Sequence, residues 1–128
     1  MRSAPISQVE IEQEMLRLLG ELEKETEAFE VLAVEAAKKE ARYKSNWAKE
    51  YLARSGSIKE REAWADYKLD DVNYEYKIAE ALVKTKREAL LSLRTSIDAM
   101  RTLNANVRVR YEWNTSLFEI ARCRHRHA

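Results

Sequence analysis

The sequence predicts an all-α fold: a long antiparallel helical hairpin of coiled-coil type with a short C-terminal helix, assembling into a helical bundle. Three observations carry this. Two glycines and one proline leave the chain few places to turn. Apolar residues recur at three-, four- and seven-residue steps along two long stretches. The stretch Ala53-Arg54-Ser55-Gly56-Ser57-Ile58-Lys59-Glu60 is the one convincing break between them. At 128 residues the chain is expected to form one domain, with a helix over 7–54, a tip at 55–57, a helix over 58–113, and a short helix with a basic tail over 116–128.

The tip follows from local chemistry. Gly56 tolerates the backbone conformation that closes a helix at its C-terminus. Ser57 and Glu60 then form a capping box: the Ser57 hydroxyl accepts from the Glu60 amide and the Glu60 carboxylate reaches back to the Ser57 amide. Ser7 with Glu10 repeats that signature at the first helix start, just after Pro5.

Along the first helix, Met15, Leu22, Phe29, Ala36 and Tyr43 recur at seven. A second series runs through Ile11, Leu18 and Leu32, interrupted by Glu25. Gly20 lies inside the pattern and costs about 1 kcal/mol relative to alanine, as a tolerated defect, a mild kink or a break. Towards the tip, Tyr43, Trp47 and Tyr51 follow at four-residue steps on one face. The second helix offers a seam of Ala65, Val72, Ala79, Leu82, Ala89, Leu93, Ile97, Met100, Leu103 and Val107. Reversal at Gly56 sets residue i roughly opposite 112 minus i, which brings Trp47 near Ala65 and Tyr43 near Leu69. The aromatic residues of the two helices then meet, and Trp64 and Tyr67 complete a tip cluster with Tyr43, Trp47 and Tyr51.

Charge supports the same register. Between Gln8 and Glu35 nine glutamates stand against only Arg17 and Lys24, whereas the segment set opposite carries Lys77, Lys84, Lys86, Arg87, Arg94 and Arg101 against Glu80, Glu88 and Asp98; the competing reading is two solvated faces with unrelated charge. Each exposed pair contributes about 0–1 kcal/mol. Leu19, Val31, Val34, Leu69, Ile78, Val83, Leu90 and Leu91 fall off these seams. They are too many for a bare hairpin, so a dimer of hairpins is expected.

The C-terminal stretch has its own composition. From Arg101 onward, six arginines against Glu112 and Glu119 give +4, while the whole chain is formally +1. Arg108, Arg110, Arg122, Arg124 and Arg126, interleaved with Tyr111 and Trp113, are the candidate contacts to single- or double-stranded DNA, through phosphates and base stacking. The competing reading is a solvated tail with core-facing aromatics. Ser116 and Glu119 give a third capping box and hence the expected short helix. Cys123, His125 and His127 form a C-x-H-x-H cluster, but three alternate residues among arginines do not make the two paired ligand sets of structural zinc, so no metal or cofactor is assigned. No P-loop, Gly-rich dinucleotide turn or Ser/His/Asp set occurs, so no catalytic residue is assigned and the chain is read as non-enzymatic. No apolar run reaches the ~20 residues that span a bilayer, the N-terminal stretch lacks the apolar core of a secretory signal, and the lone cysteine suits a reducing cytoplasm.

One stretch carries a likeness. Tyr43-Lys44-Ser45-Asn46-Trp47-Ala48-Lys49-Glu50-Tyr51-Leu52, then Gly56-Ser57-Ile58-Lys59-Glu60-Arg61-Glu62-Ala63, then a charged helix closing on Val107-Arg108-Val109-Arg110-Tyr111-Glu112, resembles small helical proteins of tailed bacteriophages. The resemblance spans residues 30–112 and has no catalytic motif. It implies a short protein of the host cytoplasm, in a family generally without assigned function and often encoded near replication and recombination genes. Two functional expectations result. One is an oligomerising phage accessory factor in DNA replication or recombination that grips nucleic acid through its basic C-terminal stretch. The other is a structural or adaptor coiled coil, for virion assembly, scaffolding or host-protein binding, with no nucleic-acid contact.

Overall fold

The computed structural model describes residues 6–126, with side chains through Arg124. Among these residues the chain forms three helices: α1 (Gln8–Ala53), α2 (Ile58–Lys68) and α3 (Asp70–Arg126). The long helices α1 and α3 pack against each other as the hairpin requires. Two compact units result, one from Met1–Glu23 with Leu91–Ala128 and one from Lys24–Leu90. No helix of the described residues is long and apolar enough to cross a membrane.

The cap at the start of α1 forms in both directions, and the cap at the tip forms in one, without the expected return bond from the Ser57 amide to the Glu60 carboxylate. At the start of α1 the Glu10 amide donates to Ser7 Oγ at 3.2 Å and the Ser7 amide donates to Glu10 Oε2 at 3.1 Å, a complete box. At the tip, Gly56 has φ +131°, a region open mainly to glycine. Ser57 follows as the N-cap of α2, accepting from the Glu60 amide at 3.2 Å. Gly20 does not interrupt α1, and nothing lies within 4 Å of where a Cβ would sit.

Burial on α1 keeps a strict seven-residue repeat. Ile11 and Leu18 are buried, and Met15, Leu22, Glu25, Phe29, Leu32, Ala36 and Tyr43 are half-buried. On α3 the repeat departs from expectation. Two heptad series share the seam: Leu69, Tyr76, Val83, Leu90, Ile97 and Asn104, with Val72, Ala79, Lys86, Leu93, Met100 and Val107. Leu69 and Leu90 are therefore core and Val83 is half-buried, although apolar spacing alone leaves all three off the seam. Leu82 is 50% exposed and Ala89 is exposed, although the same spacing puts both on it. The physical reason is the polar residue at position 86. A reading restricted to apolar residues steps around Lys86 through Leu82 and Ala89, whereas an unbroken 3–4 alternation runs through it. Lys86 Nζ pairs with Glu25 of α1, the residue that interrupts the other helix's series. The polar gap at Glu25 in one seam thus faces the polar gap at Lys86 in the other. With side chains 27% and 36% exposed, the pair contributes roughly 1 kcal/mol or less, and its larger consequence is to fix register. The other five ion pairs among the described residues lie within one helix, so the facing acidic and basic strips act mainly as separate surfaces.

Two further expectations are corrected. The second helix is interrupted at Leu69, which has φ −108° and ψ 18°. The hydrogen-bond ladder continues across it, with Leu69 N donating to Ala65 O at 3.0 Å and Asn73 N to Leu69 O at 2.8 Å. Lys68 closes α2, and Asp70 and Asp71 open α3, a charge arrangement that suits the two helix ends. The separate short helix over 116–128 does not form. α3 runs unbroken through Ser116 to Arg126. Residues 104–115 include neither glycine nor proline, so nothing there stops the helix, and Thr115 Oγ1 is already bonded back to Tyr111 O at 3.0 Å.

Candidate functional site

Two places gather the candidate residues: the tip, and the part of α3 beyond Val107.

At the tip the two tryptophans exchange hydrogen bonds across the hairpin. Trp47 Nε1 of α1 donates to Asp66 Oδ1 of α2 at 2.9 Å, and Trp64 Nε1 of α2 donates to Glu50 Oε2 of α1 at 3.1 Å. Trp47 stacks on Tyr51, with centroids 5.3 Å apart, and Trp64 lies 6.4 Å from Tyr67 in a tilted arrangement. The rings also hold cations of their own chain: Arg54 at 4.5 Å and Lys68 at 4.9 Å from Trp64, and Arg61 at 5.6 Å from Tyr51. Tyr43 leaves this group. It stacks on Tyr76 at 5.9 Å, one seven-residue step beyond the Leu69 expected opposite it, whereas Trp47 meets Asp66 beside the expected Ala65. Of the tip residues Tyr67 stands out, at 76% exposure. The acceptors Glu50 and Asp66, and the cations, were missed from the sequence. Their only signal was a carboxylate and a tryptophan on each arm of the tip.

Hydrogen bonding to Glu80 is the main cause that pushes the Tyr76 phenol up to about 12, helped by desolvation and by the charge of Glu40. A raised phenol favours the neutral ring in the folded chain. Its contribution to stability is whole below the ordinary tyrosine value near 10 and is lost as pH rises towards 12. Ultraviolet titration of the native chain is expected to show a late ionisation step towards pH 12. Tyr76→Phe is expected to remove that late step.

Beyond Val107 every described side chain, Arg108 to Arg124, is exposed. The reason is geometric: the α3 seam ends at Val107 and α1 begins at Gln8, so α3 has outrun its cover. The uncovered length is apolar as well as basic. Val109, Tyr111, Trp113, Leu117, Phe118 and Ile120 are 47–69% exposed. Helical spacing sorts all but Leu117 into two stripes. Tyr111, Asn114, Phe118 and Ala121 continue the seam that α1 covers further back. Val109, Trp113, Ser116, Ile120 and Cys123 form a second 3–4 repeat on the opposite side of the helix. Arg108 and Arg122 share a face with Glu112 and Glu119, while Arg110 and Arg124 flank Leu117 near Trp113. One continuous helix therefore distributes the candidate nucleic-acid contacts over two faces. Arg126 lies in the backbone of α3, but its side chain, that of His125 and the whole of His127 lie outside the described residues. Cys123 is exposed, and no cluster of three or more metal-ligating residues occurs among the described residues.

No protein-family model, no curated protein and no solved structure matches this chain.

Proposed function

We propose that the chain is a non-enzymatic assembly protein: a helical hairpin that presents residues 108–124 of α3 to another helix. The observation that supports this is the apolar content of a helical stretch whose described side chains are all exposed. Five of its six large apolar side chains fall in two stripes, which matches what a helix shows when it belongs between neighbours. The tip is less suited to that role, because its indoles already bond to acids and cations of the same chain. A short cytoplasmic scaffold or adaptor is also in keeping with the resemblance to small phage proteins. The nucleic-acid reading keeps one supporting feature, the side of α3 that carries Arg110, Trp113, Leu117 and Arg124.

Light-scattering mass of the full chain and of a chain ending at Val107 tests the proposal. The full chain is expected above monomer mass and the shortened one at monomer mass, with helicity per residue kept. An equal mass for the two contradicts it. Retention on single-stranded DNA at two salt concentrations runs beside this. A nucleic-acid contact requires retention at low salt that falls steeply as salt rises, and the assembly reading expects none.

A further inference from the structure

We infer that the stripe Val109, Trp113, Ser116, Ile120 and Cys123 is covered by the same stripe of a second copy of this chain, parallel and in register. The inference rests on the assembly reading above and names the partner of that surface. Three observations lead to it.

The stripe begins where α1 stops. Further back, the same side of α3 carries Thr95, Ala99 and Thr102, and both threonine hydroxyls are bonded back to carbonyls of their own helix, at 2.9 and 3.1 Å. Those positions are small and their polar groups are satisfied, so a second helix can approach there without clash or loss of hydrogen bonds. The stripe also lies on the side of α3 opposite the α1-facing seam, so a copy seated on it displaces nothing.

The flanking charges choose direction. In a parallel pair, the residue before one seam position faces the residue five further on in the other copy. That rule sets Glu119 against Arg124 of the second copy, twice by symmetry, and Glu112 against Leu117. No like charges meet. In an antiparallel pair on the same stripe, acidic flanks meet acidic flanks and Arg110 lies towards Arg124, which is unfavourable.

The surface has the shape and extent required. Ser116, Glu119, Ile120, Cys123 and Arg124 line one groove of about 610 Å³, so both members of the expected ion pair border the apolar floor. Trp113, 65% exposed, and Ile120, 56% exposed, supply the area. Two tryptophans bury about 150–250 Å² each, and the neighbouring turns bring the total to roughly 1,000 Å², the size at which a specific interface begins.

Cys123 is the only cysteine of the chain and occupies a seam position, so the native protein carries its own probe. Under mild copper-catalysed oxidation at micromolar concentration, the full chain is expected to convert to a Cys123–Cys123 disulfide dimer within minutes. In a Cys123→Ser background, Ser116→Cys is expected to cross-link in register and Thr115→Cys, on another face, is expected not to. Glu119→Arg is expected to raise the dimer dissociation constant on the order of tenfold, and adding Arg124→Glu is expected to restore it. Cross-linking at Thr115→Cys in place of Ser116→Cys, or no rescue by the charge swap, overturns this inference and leaves the assembly reading standing if mass still depends on residues 108–124. A monomeric full chain overturns both.

Discussion

Ile97→Ala is expected to lower the free energy of unfolding by about 2–4 kcal/mol, seen as a fall in the urea midpoint with little change in slope. Ile97 is 3% exposed and sits in the series Leu90, Ile97, Asn104 of α3. Ile97 shares its compact unit with Ile11 and Leu18, the two buried residues of α1. With seven buried apolar residues among the described residues, few neighbours remain to absorb a cavity. The control is Leu82→Ala. Leu82 is an equally apolar residue that an apolar-only pattern puts in the seam, but it is half exposed, so its loss is expected to cost under about 1 kcal/mol. Equal losses at the two positions would overturn the seam that runs through Lys86.

Gly56→Ala is expected to destabilise the hairpin by about 1–3 kcal/mol. Two separate causes act. A φ of +131° is a conformation that a Cβ makes costly, and the added methyl would stand 2.3 Å from Glu60 Oε2. The carboxylate is the end of a flexible side chain and can swing away, so the steric part is the smaller one. In a Glu60→Ala background, which carries its own loss of an acidic side chain in the first turn of α2, most of the Gly56→Ala cost is expected to remain. Thermal unfolding of the four chains in that cycle separates the two causes. A Gly56→Ala cost that vanishes without Glu60 would mean that the backbone conformation matters little.

The hairpin was legible because each of its signals is local and each survived packing. A glycine and a capping serine mark the tip, a second capping box starts α1, and heptad spacing marks the faces. The pairing register was legible for the same reason: once the turn is fixed, helices of equal rise leave little freedom, and Trp47 meets α2 one residue from the expected place. What was not legible depends on residues whose role changes with context. Lys86 reads as a surface charge until Glu25 is seen across from it. Leu69 reads as one more helical leucine, and only the charges of Lys68, Asp70 and Asp71 hint that two helix ends meet there. Ser116 carries a capping signature, but a cap needs a stop before it, and Asn114 and Thr115 do not provide one. In the candidate site, Arg108, Arg110, Tyr111, Trp113, Arg122 and Arg124 were found by composition. Their division between two faces depended on the helix being continuous. That continuity also brings in Val109, Leu117 and Ile120, which composition alone had passed over.

The bare end of α3 has meaning only if α1 returns along α3 of its own chain. Zero-length carbodiimide cross-linking of the native protein tests this directly, because Glu25 and Lys86 already touch. A mixture of ¹⁵N-labelled and unlabelled chain, cross-linked and digested, is expected to yield a Glu25–Lys86 peptide in which both halves carry the same isotope. Halves of mixed isotope would show that each α1 pairs with the α3 of another molecule, and the hairpin would be contradicted.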